Sequence, residues 1–191
     1  YNTLAAITAA LIEGMSLKQI VNALETVSPV EGRMELVEEG QPYLVVVDYA
    51  HTPDSLENVL QTVSEFAEGK IYCVFGCGGD RDRGKRPQMG RLAAELSDVT
   101  IVTSDNPRNE DPKAIIEEIV AGIKQSGAKE EHYLQIEDRR RAIQQAVEMA
   151  SPGDVVLIMG KGHETYQEVK GVRTYFDDRE VAKQAIRSIL H

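Results

Sequence analysis

Five short apolar runs alternate with longer amphipathic stretches, and that alternation leaves few folds open. The runs are 43–48 (YLVVVD), 70–75 (KIYCVF), 98–103 (DVTIVT), 132–136 (HYLQI) and 154–159 (DVVLIM). A strand with one wet face alternates apolar and polar residues, whereas a run that is apolar nearly throughout is covered on both faces. Helix starts are legible between the runs: Thr52-Pro53 opens 53–67, Pro87 opens 87–96, Asp111-Pro112 opens 112–124 and Asp138 opens 139–150. Proline is tolerated there because its missing N–H has no intrahelical partner in the first turn. Strands alternating with such helices predict an α/β fold, a Rossmann-like, mostly parallel sheet with helices on both faces. The stretch 166–176 (YQEVKGVRTYF) predicts a two-stranded hairpin turning at Lys170-Gly171, followed by a last helix over 178–190.

The amino-terminal 31 residues differ. Residues 3–14 and 17–26 carry apolar residues at helical spacing, and Ser16 with Gln19 predicts a capping box. SPVEGR (28–33) reads as a linker, with a domain boundary near Val30–Gly32. The chain opens at Tyr1 in what reads as the middle of a helix, so the expectation is a piece of a longer protein.

A formal net charge of −10 in 191 residues argues against nucleic acid or an anionic membrane as partner. No run reaches the roughly 20 apolar residues of a membrane helix. With only Cys73 and Cys77, a disulfide framework is not expected, and a reducing cytoplasm is the default compartment. The four histidines and two cysteines show no zinc-binding spacing. Cys73 reads as core and Cys77 as a small loop residue.

In open α/β sheets ligands bind beyond the carboxyl ends of the strands. Those ends carry the four least ordinary segments, DYAHTPDS, GCGGDRDRGKR, SDNPRNEDP and GKGHETYQ. The second invites two familiar readings that fail. Gly76 and Gly78 begin a G-x-G-x-x-G fingerprint, but Arg81 stands where the third glycine packs helix on strand. Gly79 to Arg86 spells G-x-x-x-x-G-K-R, with arginine where a phosphate-binding loop has a magnesium-ligating hydroxyl. What remains is a flexible backbone bearing Arg81, Arg83, Lys85 and Arg86, read as an anion site in preference to a self-neutralising turn.

The most specific stretch is SDNPRNEDP (104–112). Pro107 stiffens a strand-end loop and presents Asn106, both donor and acceptor, beside Arg108, whose planar fork grips carboxylates. That suits a zwitterionic or carboxylate-bearing small molecule.

With YNTLAAI, EGRME, VVDYAHTPDS, GCGGDRDRGKRP, SDNPR and GKGHETYQ in this order along essentially the whole chain, the sequence resembles the Mur ligases. Within that family the D-N-P-R form accompanies meso-diaminopimelate, and lysine-adding relatives generally lack its arginine. The resemblance implies an ATP-dependent ligase that joins meso-diaminopimelate to UDP-N-acetylmuramoyl-L-alanyl-D-glutamate in peptidoglycan synthesis. By that resemblance Arg81 holds a carboxylate of the incoming amino acid, and Asn106 and Arg108 in Asp105-Asn106-Pro107-Arg108 hold the distal one. Gly160 and Glu164 take the distal ammonium. On the ATP side the matches are Asn2, Arg33 and Asp48, each of which reads equally well as a helix start, a surface charge and a strand-end cap. His51 and His163 read as loop-shaping residues.

The resemblance further implies that ATP phosphates and Mg2+ are held mainly by a central domain of which residues 1–31 are the helical tail, with 32–191 as the carboxyl-terminal, amino-acid-binding domain. No residue here need be a nucleophile, and the expected contribution is positioning. Three alternatives are weighed against it: a lysine-adding or folate-glutamylating relative, a nicotinamide oxidoreductase, and a non-catalytic amino-acid-binding module. Arg108 speaks against the first and the broken glycine fingerprint against the second.

Overall fold

The computed structural model describes residues 2–27 and 30–190. The chain divides into two compact units, Tyr1–Val30 and Glu31–His191.

The first unit holds two helices, α1 (Asn2–Ile12) and α2 (Leu17–Thr26). The expected capping box is present: Gln19 N–H donates to Ser16 Oγ at 3.4 Å, and Ser16 N–H donates to Gln19 Oε1 at 2.9 Å. Two orphan amides of a helix start are thereby satisfied.

The second unit is built on a six-stranded sheet in the order β1-β2-β6-β3-β4-β5. Its strands are β1 (Glu35–Leu36), β2 (Leu44–Asp48), β3 (Ile71–Phe75), β4 (Val99–Val102), β5 (Tyr133–Gln135) and β6 (Val155–Met159). All pairs are parallel except β1 on β2. The five apolar runs become β2 to β6, trimmed by a residue or two at their ends. β1 was not anticipated, because two residues are too few to display a period.

Side chains of successive strand residues point to opposite faces, so each apolar run feeds two cores. On one face Val46, Cys73, Phe75, Val102 and Leu157 pack with α3 (Pro53–Ser64), α4 (Lys85–Leu96) and α5 (Pro112–Gln125). On the other, Val45, Val47, Val74, Ile101 and Ile158 pack with α6 (Arg139–Met149) and α7 (Asp178–Leu190). Helix α4 starts two residues before the expected Pro87, which sits within the first turn where it is still tolerated. Both cysteines are buried, and burial pushes both thiols up to about 12, so neither is a nucleophile at neutral pH.

Helices α4 and α5 touch backbone to backbone. A Cβ on Gly122 would lie 1.9 Å from the Pro87 carbonyl oxygen, and one on Gly90 would lie 2.1 Å from that of Ile119. The remaining strands, β7 (Tyr166–Val169) and β8 (Val172–Tyr175), form the expected hairpin, with Lys170 and Gly171 at positive φ. We predict that Gly122→Ala lowers unfolding stability by roughly 1–3 kcal/mol, because the helices must separate. An unchanged denaturant midpoint would contradict that close approach.

Candidate functional site

Since β2, β3, β4 and β6 are parallel, their carboxyl ends lie on one rim, and the four unusual segments meet there. Between them lies a cleft of about 620 Å3, within the usual range for small-molecule sites. Arg81, Asp105, Asn106, Arg108, Gly160 and Glu164 all line it. Of the expected amino-acid-binding residues only Pro107 faces elsewhere, lining a second hollow with Ser104 and Phe176.

The glycines after β3 have a different use from the one expected. They bring one loop against another. A Cβ on Gly76 would meet the Thr103 carbonyl oxygen at 2.2 Å, and one on Gly79 would meet that of Pro107 at 1.9 Å. Gly79 N–H donates to the Asn106 carbonyl at 2.8 Å, and Arg108 Nη1 donates back to the Gly79 carbonyl at 2.8 Å. So close an approach to a carbonyl requires that the residues at 76 and 79 carry no Cβ.

The four-cation anion site also needs correction. Arg86 is fully buried, donating to Glu110 at 2.7 Å and Glu118 at 2.9 Å. Arg83 pairs with Glu118, and Lys85 Nζ donates to the His51 carbonyl at 2.7 Å. An arginine withdrawn from water needs carboxylate partners, and Glu110 and Glu118 supply them. Arg81 alone of the four is an exposed arginine on the cleft. The Arg86 guanidinium holds Glu110 far down, at about 2. Arg86 thus ties the glycine loop to the D-N-P-R loop and to α5.

Arg108 has a left-handed backbone, φ +51°, a conformation that non-glycine residues keep only under tertiary constraint. The constraint is the hairpin: Arg108 N–H donates to the Glu168 carbonyl at 3.0 Å, and Lys170 N–H donates to the Arg108 carbonyl at 2.6 Å.

Asn106 is nearly enclosed, 2% exposed. Its Oδ1 accepts from Lys161 Nζ at 2.9 Å and from Glu168 N–H at 3.0 Å, while Nδ2 donates to Glu164 Oε2 at 2.9 Å. Asp105 Oδ1 lies 3.3 Å from the Lys161 ammonium, an ion pair that lacks hydrogen-bond geometry and leaves that buried oxygen without a hydrogen bond. Sequence reasoning missed Lys161 entirely, although a lysine between two glycines at the end of a wholly apolar strand was a signal. It also missed Arg139, which is buried and doubly hydrogen-bonded to Asp178 at 2.8 and 2.7 Å, and which donates to the Met159 carbonyl at 3.0 Å. That pair anchors the end of β6 from below.

The residues expected on the ATP side are not gathered in the cleft. The Asn2 side chain lies outside the described residues. Asp48 is buried at the end of β2, accepting from Met34 N–H at 2.8 Å and Ala50 N–H at 2.7 Å, as a strand-end cap does. Arg33 is exposed and stacks over the Tyr49 ring at 4.7 Å. Tyr49 also contacts the rings of His51 and His163, and His51 Nδ1 shares a hydrogen bond with the Tyr49 carbonyl at 2.8 Å. His51 thus bonds within its own loop, and Tyr49 and His51 border the cleft. Among the described residues no group of three or more His, Cys, Asp or Glu side chains is placed to hold a metal ion, and no helix is long and apolar enough to cross a membrane.

An open, mostly parallel sheet whose rim carries a small-molecule-sized cleft lined by both arginines and carboxylates defines the class, an α/β domain. The comparisons then give the lineage. Residues 32–162 match the family described as Mur ligase, glutamate ligase domain. The UDP-N-acetylmuramoyl-L-alanyl-D-glutamate–2,6-diaminopimelate ligase of Syntrophomonas wolfei is 54% identical over 187 residues, covering 98% of this chain and 38% of the relative. The ligase of the same name from Bacillus cereus is 50% identical over 191 residues, covering 100% and 38%. A solved structure of such a ligase superposes with a TM-score of 0.78 at 45% identity, over 98% of this chain and 38% of that one. The chain belongs to the Mur ligase family, and it spans 38% of the length of the curated relatives it matches.

The Glu110 carboxylate gives a pH prediction. Its folded value, about 2, lies below the ordinary 4.5, so its contribution is fully present above the ordinary value and is lost as pH falls through the folded one. Urea midpoints measured from about pH 6 down to about pH 2 are expected to fall steeply, and Glu110→Gln to flatten that acid limb. Parallel curves for the two proteins would contradict the assignment.

Proposed function

We propose that this chain is the amino-acid-accepting part of an ATP-dependent ligase that joins meso-diaminopimelate to UDP-N-acetylmuramoyl-L-alanyl-D-glutamate in the cytoplasm. The observation that carries the reading is the bipolar cleft, lined by Arg81 and Arg108, both beside Gly78, and by Asp105 and Glu164, both beside Lys161. Meso-diaminopimelate has a carboxylate and an ammonium at each end. Arg81 takes the carboxylate nearer the reacting amine. Arg108 and the Asn106 amide take the distal carboxylate, and Glu164 with the Gly160 carbonyl takes the distal ammonium. Arginine offers carboxylates a bidentate fork, and a carboxylate suits an ammonium. Lysine lacks the distal carboxylate, so its binding would leave the Arg108 charge unpaired, which discriminates more strongly than a missing methylene does.

Residues 1–31 are proposed as the helical tail of a central domain that holds the ATP phosphates and Mg2+, with 32–191 as the amino-acid-binding domain. Asn2, Arg33 and Asp48 belong to the ATP side on this reading. Exposed Arg33 is free to meet a nucleotide, whereas Asp48 acts by fixing the segment that carries Arg33, through Met34 N–H. ATP activates the peptide carboxylate as an acyl phosphate, which the amine of diaminopimelate displaces to give the amide, ADP and phosphate. The residues described here supply orientation, which alone lowers barriers by several kcal/mol. Names of the relatives that match across the whole chain support the substrate, and Arg108 supports it over the lysine-adding alternative.

The test is an NMR titration of the 191-residue chain with meso-diaminopimelate and, separately, L-lysine. Amide shifts centred on Arg81, Arg108 and Glu164 with diaminopimelate alone are expected. Equal shifts with lysine would favour the lysine-adding reading. The chain by itself is expected to form no ADP, and ADP release dependent on both peptide and amino acid would contradict the division of labour.

A further inference from the structure

Lys161 is 0% exposed, yet it stands under the cleft floor with its ammonium among polar groups from three segments. Nζ donates to Asn106 Oδ1 at 2.9 Å and to the Tyr166 carbonyl at 2.7 Å, and it lies 3.3 Å from Asp105 and 3.8 Å from Glu164. An asparagine amide reads either way round until its partners choose, and Lys161 chooses here. With an ammonium and the Glu168 N–H on one side, only the amide oxygen fits there. The Nδ2 group is therefore forced toward Glu164 and the cleft. Reversed, the amide would set its N–H groups against two donors and present an oxygen to an incoming carboxylate.

The charges are arranged to the same end. Asp105 and Glu164 together carry one more negative charge than Lys161 cancels, which leaves a single unit for a ligand ammonium. Burial lowers the Lys161 pKa, and the two carboxylates oppose that lowering. A lysine on the surface would be free to swing to either carboxylate. This one is fixed by the Tyr166 carbonyl at the root of the hairpin.

We propose that Lys161 is a positioning residue that sets the amide polarity of Asn106, and so determines amino-acid selectivity without touching the amino acid. The proposal rests on the ligase reading above.

The test uses the full-length ligase. Wild type must first ligate meso-diaminopimelate, and if it does not, the functional reading falls and this proposal with it. In Lys161→Met the KM for diaminopimelate is expected to rise roughly 10- to 100-fold, as misplaced contacts usually cost, while the KM for ATP stays within about 2-fold. Lys161→Gln keeps an N–H donor toward Asn106 Oδ1 and is expected to recover most of that loss. In an Asn106→Ala background, Lys161→Met is expected to add little, since a residue that acts through another shows no independent effect. Equal rises in every KM, no recovery with glutamine, or multiplying effects in the double variant would overturn the proposal. So would failure of both lysine variants to fold, which would assign Lys161 to the core alone.

Discussion

The contact on which the rest of the cleft depends is between two backbones. Gly76 and Gly79, after β3, lie against the carbonyls of Thr103 and Pro107, after β4, at distances that admit no Cβ. The second of these loops carries Asn106 and Arg108. Asn106 and Arg108 reach the cleft because Gly79 exchanges hydrogen bonds with Asn106 and Arg108, and because Arg86 locks Glu110 from beneath. The hairpin closes the other side, holding Arg108 in a left-handed conformation through Glu168 and Lys170. A glycine-rich strand-end loop commonly signals phosphate. Here the same freedom is used to stack protein on protein.

Burial decides which charged groups remain for a ligand. Arg86, Arg139 and Lys161 are wholly enclosed, and each is compensated: Arg86 by Glu110 and Glu118, Arg139 by Asp178, and Lys161 by Asp105, Asn106 and Glu164. Leaving any of them unpaired would cost several kcal/mol, so these partners are not spare. Arg81 and Arg108 are only partly covered or exposed, and they face the cleft without a carboxylate of their own among the described residues. The fully enclosed cations are thus paired, while Arg81 and Arg108 stay open to the cleft.

Much of this was legible in the sequence, and the rest was hidden for physical reasons. Apolar runs such as VVLIM at 155–159 fixed the parallel strands, since only two-sided burial explains five apolar residues in a row. The hairpin turn at Lys170-Gly171 and the cap at Ser16 follow from local chemistry. Asn106 and Arg108 were picked out by their chemistry and Asp105, Gly160 and Glu164 by the family resemblance, and the topology does bring them together. Arg86 was read as a ligand-facing cation because its partners are 24 and 32 residues away, beyond any local pattern. Lys161 was missed for the same reason, its tightest side-chain partner being 55 residues distant. Asp48 read equally well as an ATP-side residue and as a strand-end cap, and the amide of Met34, 14 residues earlier, occupies one of its oxygens.

The central claim is that the loop held on Gly76 and Gly79 forms one end of a cleft for a doubly zwitterionic amino acid. A crystal structure of the full-length ligase with meso-diaminopimelate bound tests it most directly. The account predicts a distal carboxylate on Arg108 and Asn106, with the distal ammonium on Glu164. Diaminopimelate seated elsewhere, for instance in the hollow beside Phe176, with Arg108 turned to solvent, would contradict it.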